Sequence, residues 1–338
     1  SYLCNRNRET NNVSRDAQMA ESVDALVSNT SGFTSIPVRP RVWVRNKEAG
    51  KVLMLFPLSF YTYLLCPLLM GTDIWQEIEV LNQEFVRLGI SQSVDYEKYY
   101  LYSLITHSTA IEGSTLTEAE AQMLFDEGLT AKGKPLVYHL MNEDLKKAYE
   151  LAKEEAKSKK PINSAFLQKL NSTLMRTTGS IYNVMGGSFD SSKGEFRLCG
   201  VTAGIDGRSY MSYQKVPAKV EELCALLQEK QKAVGTFREQ YELSFNAHLN
   251  LVTIHPWVDG NGRTARLLMN YIQFCYNLFP TKIFKEDREE YISALRQSQE
   301  EETNLPFLGF MAVQLKKSLS LEIERFKTSQ KKIFSFMF

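Results

Sequence analysis

The sequence predicts a mainly α-helical protein with one short β-hairpin, on two observations. From Ile74 onward apolar residues recur at helical spacing nearly everywhere. Strand-like alternation is confined to Glu195–Tyr213, EFRLCGVTAGIDGRSYMSY, where glycines stand at turn positions. Helices are expected over 74–88, 95–112, 118–127, 139–157, 163–176, 217–232, 237–253, 263–277, 286–298 and 305–327. Between them fall residues that stop helices: Gly113, Gly128, Pro161, Gly179, Gly186 with Gly187, Pro217, Pro256 and Pro280. The first helix carries an apolar stripe of Ile74, Ile78, Leu81, Phe85 and Leu88. The second ends at Gly113, a good residue just past a helix, and Thr117-x-x-Glu120 opens the third as a capping box. The lysine-rich run Lys146–Lys160 reads as a solvated helix face.

The chain has 338 residues, of which 43% are apolar, enough for a sizeable core. Its 40 Lys and Arg nearly balance 39 Asp and Glu, so no global basic field argues for nucleic acid. Five cysteines (Cys4, Cys66, Cys199, Cys224, Cys275) never form a CxxC pair, which disfavours a disulfide framework and a zinc knuckle and fits reduced thiols in a cytoplasm. Four histidines include no HxxxH or HExxH, so no histidine-rich metal site is indicated.

Residues 1–69 show no periodicity and read as a non-domain extension ahead of a domain spanning 70–330, with 331–338 a tail. Val52–Met70 is uncharged over 19 residues, long enough to span a bilayer, and five basic residues precede it. Pro57 and Pro67 argue against a span, so a membrane anchor is the minor alternative to a cytoplasmic protein. Met19–Val44 resembles the translation of a bacterial transfer-RNA gene, which makes Met70 the expected start.

The segment I254-H-P-W-V-D-G-N-G-R-T-A-R-L-L-M-N270 carries the chemistry. Helical stripes on either side make it a loop joining two helices. Gly260, Asn261 and Gly262 can turn successive N–H groups inward as an anion nest, to which the following helix adds its free N–H groups and dipole. Arg263 and Arg266 stand at that helix start, where the macrodipole opposes them, so a bound anion would resolve the conflict. Asp259 suits a hard cation such as a phosphate-bound Mg²⁺, and His255 can act as a base.

These residues resemble the Fic motif HPFx(D/E)GNGRxxR at His255, Pro256, Asp259, Gly260, Asn261, Gly262, Arg263 and Arg266, with Trp257 in place of phenylalanine. The resemblance runs from about residue 74 to 325 and implies the helical Fic fold with a hairpin flap. It implies transfer of AMP from ATP, with Mg²⁺, to a Tyr, Thr or Ser hydroxyl of a target protein and of the enzyme itself. By that likeness His255 deprotonates the hydroxyl, Asp259 places Mg²⁺, Asn261 and Arg263 steady the α- and β-phosphates, and Arg266 meets the γ-phosphate. Tyr291 and Gln299 fall where relatives contact the adenosine. Asn270 is expected as a structural hydrogen-bonder.

Glu112 lies in the last turn of a helix, where the dipole disfavours a carboxylate, so a cationic partner is expected; Ser108 shares its face. Ser108-Thr-Ala-Ile-Glu112-Gly113 resembles the inhibitory (S/T)xxxE(G/N) motif of Fic enzymes. That likeness pairs Glu112 with Arg266 and implies autoinhibition. Glu195–Tyr213, with Tyr210 and Met211, resembles the flap that registers a target segment by main-chain pairing. A homodimer is a further expectation from relatives, and the short tail leaves no DNA-binding module. The rival readings are a de-AMPylase, another Fic-type nucleotidyl or phosphocholine transferase, and a non-catalytic nucleotide-binding regulator.

Overall fold

The computed structural model describes residues 73–337 apart from 204–206 and 208, so residues 1–69 and the apolar stretch 52–70 lie outside the described residues. Among those described, the helices are α1 Ile74–Arg87, α2 Tyr96–Ile111, α3 Glu118–Glu127, α4 Leu136–Lys157 and α5 Ser164–Leu174. After a hairpin of β1 Ile181–Val184 and β2 Gly187–Asp190 come α6 Val216–Ala233, α7 Phe237–Ile254, α8 Asn261–Cys275, α9 Arg288–Glu300 and α10 Leu305–Met337. Every expected helix is present.

Local chemistry sets the ends. The Thr117 and Thr236 hydroxyls each accept the N–H three residues on, and their own N–H groups donate to the carboxylates of Glu120 and Glu239, forming capping boxes. Asn163 caps α5 by accepting from the Phe166 N–H. Helix α10 runs to Met337 rather than to the expected 327, because no glycine or proline interrupts the sequence after Phe326. No helix among the described residues is long and apolar enough to cross a membrane.

Helix α8 is the centre of the packing. It lies against α7, α4, α5 and α2, and every residue of it except Gly262 and Phe274 is buried. A helix wrapped on all sides cannot be displaced without opening the core. Leu267, Leu268, Tyr271 and Ile272 join one large apolar cluster with Phe245, Leu251, Leu170 and Tyr149. Asn270, as expected, is a structural hydrogen-bonder: it accepts from the Tyr149 hydroxyl at 2.7 Å and donates to the Thr281 carbonyl at 3.0 Å.

The β structure departs from the expected place. The antiparallel ladder pairs Ile181 with Asp190 through Val184 with Gly187, a segment read as helix-breaking sequence because strands of four residues are too short to show alternation. Among the described residues of Glu195–Tyr213 there is one antiparallel bridge, Thr202 with Ser209, and the Tyr210 N–H donates to the Val201 carbonyl at 3.1 Å. Arg197 takes the carbonyls of Cys199 and Met211 that a longer ladder would use. A second, small apolar cluster of Phe189, Val201 and Val258 joins hairpin, flap and loop.

Truncating the centre of α8 should therefore be costly. Leu267 is fully buried, and Leu267→Ala should destabilise by about 2–5 kcal/mol. Calorimetry should show Tm falling by about 2–4 °C for each kcal/mol. Val86→Ala, at a position 66% exposed on α1, should leave Tm nearly unchanged.

Candidate active site

His255 follows the last residue of α7 with φ 54° and ψ 63°, a left-handed cap held by a non-glycine residue. Its N–H still donates to the Leu251 carbonyl at 3.0 Å. The imidazole is buried, with Nδ1 3.3 Å from the Val252 carbonyl. A carbonyl only accepts, so Nδ1 carries the proton and the lone pair falls on Nε2. Burial pushes the His255 pKa down to about 3; the Val252 hydrogen bond and Asp259 oppose the shift, and the charge of Arg197 adds to it. A neutral imidazole with its lone pair on Nε2 is the form a general base requires. The Tyr210 ring stacks on it, centroids 3.8 Å apart and planes at 18°.

The loop after His255 is closed by its own side chains. Asn261 accepts from the Trp257 N–H at 3.0 Å and donates to the Trp257 carbonyl at 2.9 Å. Its amide thus shapes the loop rather than pointing at a ligand. Trp257 is fully buried and donates from Nε1 to the Gly194 carbonyl at 2.9 Å, so the larger ring takes the aromatic plug position and ties the loop to the turn just ahead of the flap. Gly260 caps α8 at φ 78°, and a Cβ there would lie 2.9 Å from Leu174 and Met175. Gly262 lies within the helix and is needed for close approach instead: a Cβ on it would come within 2.6 Å of Glu112 Oε1.

That contact locates the carboxylate. Glu112 follows the last residue of α2, at φ −90°, and its Oε1 accepts from Arg266 Nη2 at 2.7 Å, directly over the start of α8 where an anion is favoured. Arg266 also donates from Nε to Ser108 Oγ at 2.8 Å and from Nη2 to the Ser108 carbonyl at 3.0 Å. The Tyr291 hydroxyl accepts from its Nη1 at 3.4 Å and lies 3.0 Å from His248 Nε2. Burial, then the nearby Arg266 charge, drives the His248 pKa well below the ordinary histidine value. Ser108, Glu112, Arg266 and Tyr291 are thus one network.

Arg263 is buried too. Its Nη2 donates to Asp259 Oδ1 at 3.2 Å and approaches the Met175 sulfur at 3.6 Å, while Nε and Nη1 find no hydrogen-bond partner among the described residues. Asp259 itself is half-exposed, its Oδ1 also accepting from the Gly260 N–H. Among the described residues no three His, Cys, Asp or Glu side chains gather as a metal cluster. A lone exposed carboxylate beside buried, unpartnered guanidinium donors fits a Mg²⁺ that takes its remaining ligands from phosphate and water. Gln299 lies apart from the Arg266 network, donating to Thr253 on α7 at 3.1 Å. Met211 offers its carbonyl to Arg197.

Sequence reasoning missed Arg197. It is fully buried, donating from Nε to the His255 carbonyl at 2.8 Å and from Nη1 and Nη2 to the Cys199 and Met211 carbonyls at 2.8 and 2.7 Å. No sequence signal marks an arginine whose acceptors are main-chain oxygens. His248, Tyr149 and Asn171 were likewise not singled out; Asn171 donates to Thr264 Oγ1 at 3.1 Å beneath the loop.

Residues 161–273 match the Fic/DOC family. A protein adenylyltransferase Fic of Drosophila grimshawi is 30% identical over 231 residues, 67% of this chain and 43% of the relative. That of Drosophila melanogaster is 29% identical over 239 residues, 69% of this chain and 44% of the relative. The chain thus spans less than half the length of these curated relatives. Among solved structures, a Fic-domain signalling protein of Bacteroides thetaiotaomicron superposes with a TM-score of 0.62 at 24% identity, over 75% of this chain and 97% of that one. Fic-1 of C. elegans gives 0.61 at 22% identity, over 81% and 75%. These two likenesses establish the fold.

The neutral imidazole has a direct check. Nitrogen-detected NMR of the ring should show His255 with Nδ1 protonated and no titration between pH 5 and 8, against about 6.5 for an unperturbed histidine. A midpoint near that ordinary value would contradict the assignment.

Proposed function

The chain carries a Fic domain, and from that premise we propose that it is an autoinhibited adenylyltransferase that moves AMP from ATP to a Tyr, Thr or Ser hydroxyl of a target protein and of itself. The observation that carries the reading is the geometry: His255 stands at the head of the loop with Nδ1 turned to the Val252 carbonyl, and the next helix presents Arg263 and Arg266. We read residues 70–330 as the working unit.

In this mechanism the target hydroxyl lies at His255 Nε2, which takes its proton as the oxygen attacks the α-phosphorus. The new oxygen–phosphorus bond replaces the bond to pyrophosphate, which leaves. Backbone N–H groups at the start of α8 and the unsatisfied donors of Arg263 hold phosphate oxygens in place. Asp259 would hold Mg²⁺ through its exposed carboxylate, and that ion supplies neutralisation of phosphate charge. Arg266 would meet the γ-phosphate, but Glu112 holds it at 2.7 Å. The resting protein should therefore seat ATP poorly for transfer.

Glu112→Gly tests this as a gain. Removing a charge-assisted hydrogen bond worth about 1.5–3 kcal/mol should raise productive ATP binding roughly ten- to over a hundredfold. Labelling of the protein and of a cell lysate from α-labelled ATP should rise accordingly. Arg266→Ala in the same background should erase the gain, and His255→Ala should cut transfer by about 10²–10⁴ while ATP still binds. Equal labelling by parent and Glu112→Gly would remove autoinhibition; undiminished labelling by His255→Ala would remove the base.

Asp259→Asn should shift the Mg²⁺ titration of labelling to much higher concentration, since a hard divalent ion loses its anionic oxygen. Superimposable titrations would reject the role.

A further inference from the structure

Arg197 stands outside the motif yet touches both of the parts the chemistry needs. Its guanidinium bonds the carbonyl of His255 itself, and its own N–H donates to the Pro256 carbonyl at 3.0 Å. Its other two nitrogens bond Cys199 and Met211, on the two limbs of the flap that the Thr202–Ser209 bridge joins. Met211 is the neighbour of Tyr210, whose ring lies on the imidazole. One planar fork therefore fixes the backbone under one ring of the stack and the backbone beside the other.

Two features give that fork a purpose beyond filling space. His255 holds a left-handed conformation, which persists only where its surroundings over-determine it, and the Arg197 Nε bond is one such restraint. Among the described residues the flap limbs share one bridge and no ladder, so their spacing from the loop depends on side-chain ties such as Arg197. Guanidinium offers fixed, divergent donors; a lysine ammonium at the same place cannot reach three carbonyls in one plane.

Resting on the transfer reaction proposed above, we propose that Arg197 is a positioning residue that locks base and flap into one body. The flap then presents a target segment at one fixed distance from His255 Nε2, with Tyr210 registered over the imidazole. ATP binding, carried by the start of α8, is a separate function and does not run through it.

The test uses the full chain carrying Glu112→Gly, with Arg197→Lys and Arg197→Ala added singly. Circular dichroism checks folding, calorimetry measures binding of a non-hydrolysable ATP analogue, and single-turnover self-labelling measures transfer. Both variants should fold and bind the analogue within about twofold of the parent, the signature of an interaction that acts on the chemical step. Labelling should fall about 10²-fold, the cost of ångström-scale misplacement. Millimolar guanidinium should restore labelling to Arg197→Ala and leave Arg197→Lys unchanged. The ring-current shift that Tyr210 imposes on the His255 ring protons should disappear in both. Unchanged labelling, or a fall matched by equal loss of analogue binding or of folding in both variants, would make Arg197 a fold staple and overturn the proposal. If the Glu112→Gly parent does not label at all, the transfer reading fails; the His255 ring shifts then decide by themselves whether Arg197 holds the stack.

Discussion

Two helices each carry a charge at the end where their own dipole opposes it, and the ion pair between Glu112 and Arg266 resolves both conflicts at 2.7 Å. Glu112 sits at the C-terminal end of α2 and Arg266 in the second turn of α8, the helix around which the core is packed. The pair is asymmetric. The Arg266 side chain is 3% exposed and that of Glu112 is 29% exposed, so water can receive the carboxylate but not the guanidinium. Arg266 without Glu112 still has acceptors in Ser108 Oγ, the Ser108 carbonyl and Tyr291. The arginine is thus built in permanently, and the carboxylate is the replaceable member.

The base of the proposed reaction is prepared by the same economy of burial. A histidine taken out of water loses affinity for a proton, and burial is the largest influence lowering the His255 pKa. The direction of the Val252 bond then decides which nitrogen keeps the lone pair. Tyr210, from the flap, covers one face of the ring.

The helices were legible because apolar spacing of three and four residues and the Gly and Pro breaks between them are local properties. The loop was legible because its glycines, arginines, histidine and aspartate lie within twelve residues, and the Glu112 partner could be anticipated from a dipole conflict. What the sequence could not carry were contacts between distant main-chain atoms. Arg197 meets Met211 and His255, the latter 58 positions away, through carbonyls that every residue has. Asn261, which the likeness assigns to phosphate, also closes the loop on Trp257 through its amide, a contact that spacing alone does not reveal. Strands as short as Ile181–Val184 and Gly187–Asp190 fall below the length at which alternation can be seen.

Under the proposed function, the arginines at the head of α8 give phosphate an advantage over other occupants. The all-round burial of α8 leaves Arg263 and Arg266 no path to water, so each hydrogen atom of their guanidinium groups needs a protein or ligand acceptor. Arg266 has its acceptors. Arg263 leaves Nε and Nη1 without them, a cost of about 1–3 kcal/mol for each buried donor left unmade. A small neutral molecule cannot offer several acceptors of matched charge in one place, whereas phosphate does so and also suits the free N–H groups of the helix start. Glu112 offers one carboxylate to the same region and satisfies Arg266 without reaching the unpaired nitrogens of Arg263. Under the proposed function, the Glu112 contact is therefore an incomplete substitute for phosphate: it meets Arg266 and leaves the Arg263 donors for a phosphate to fill.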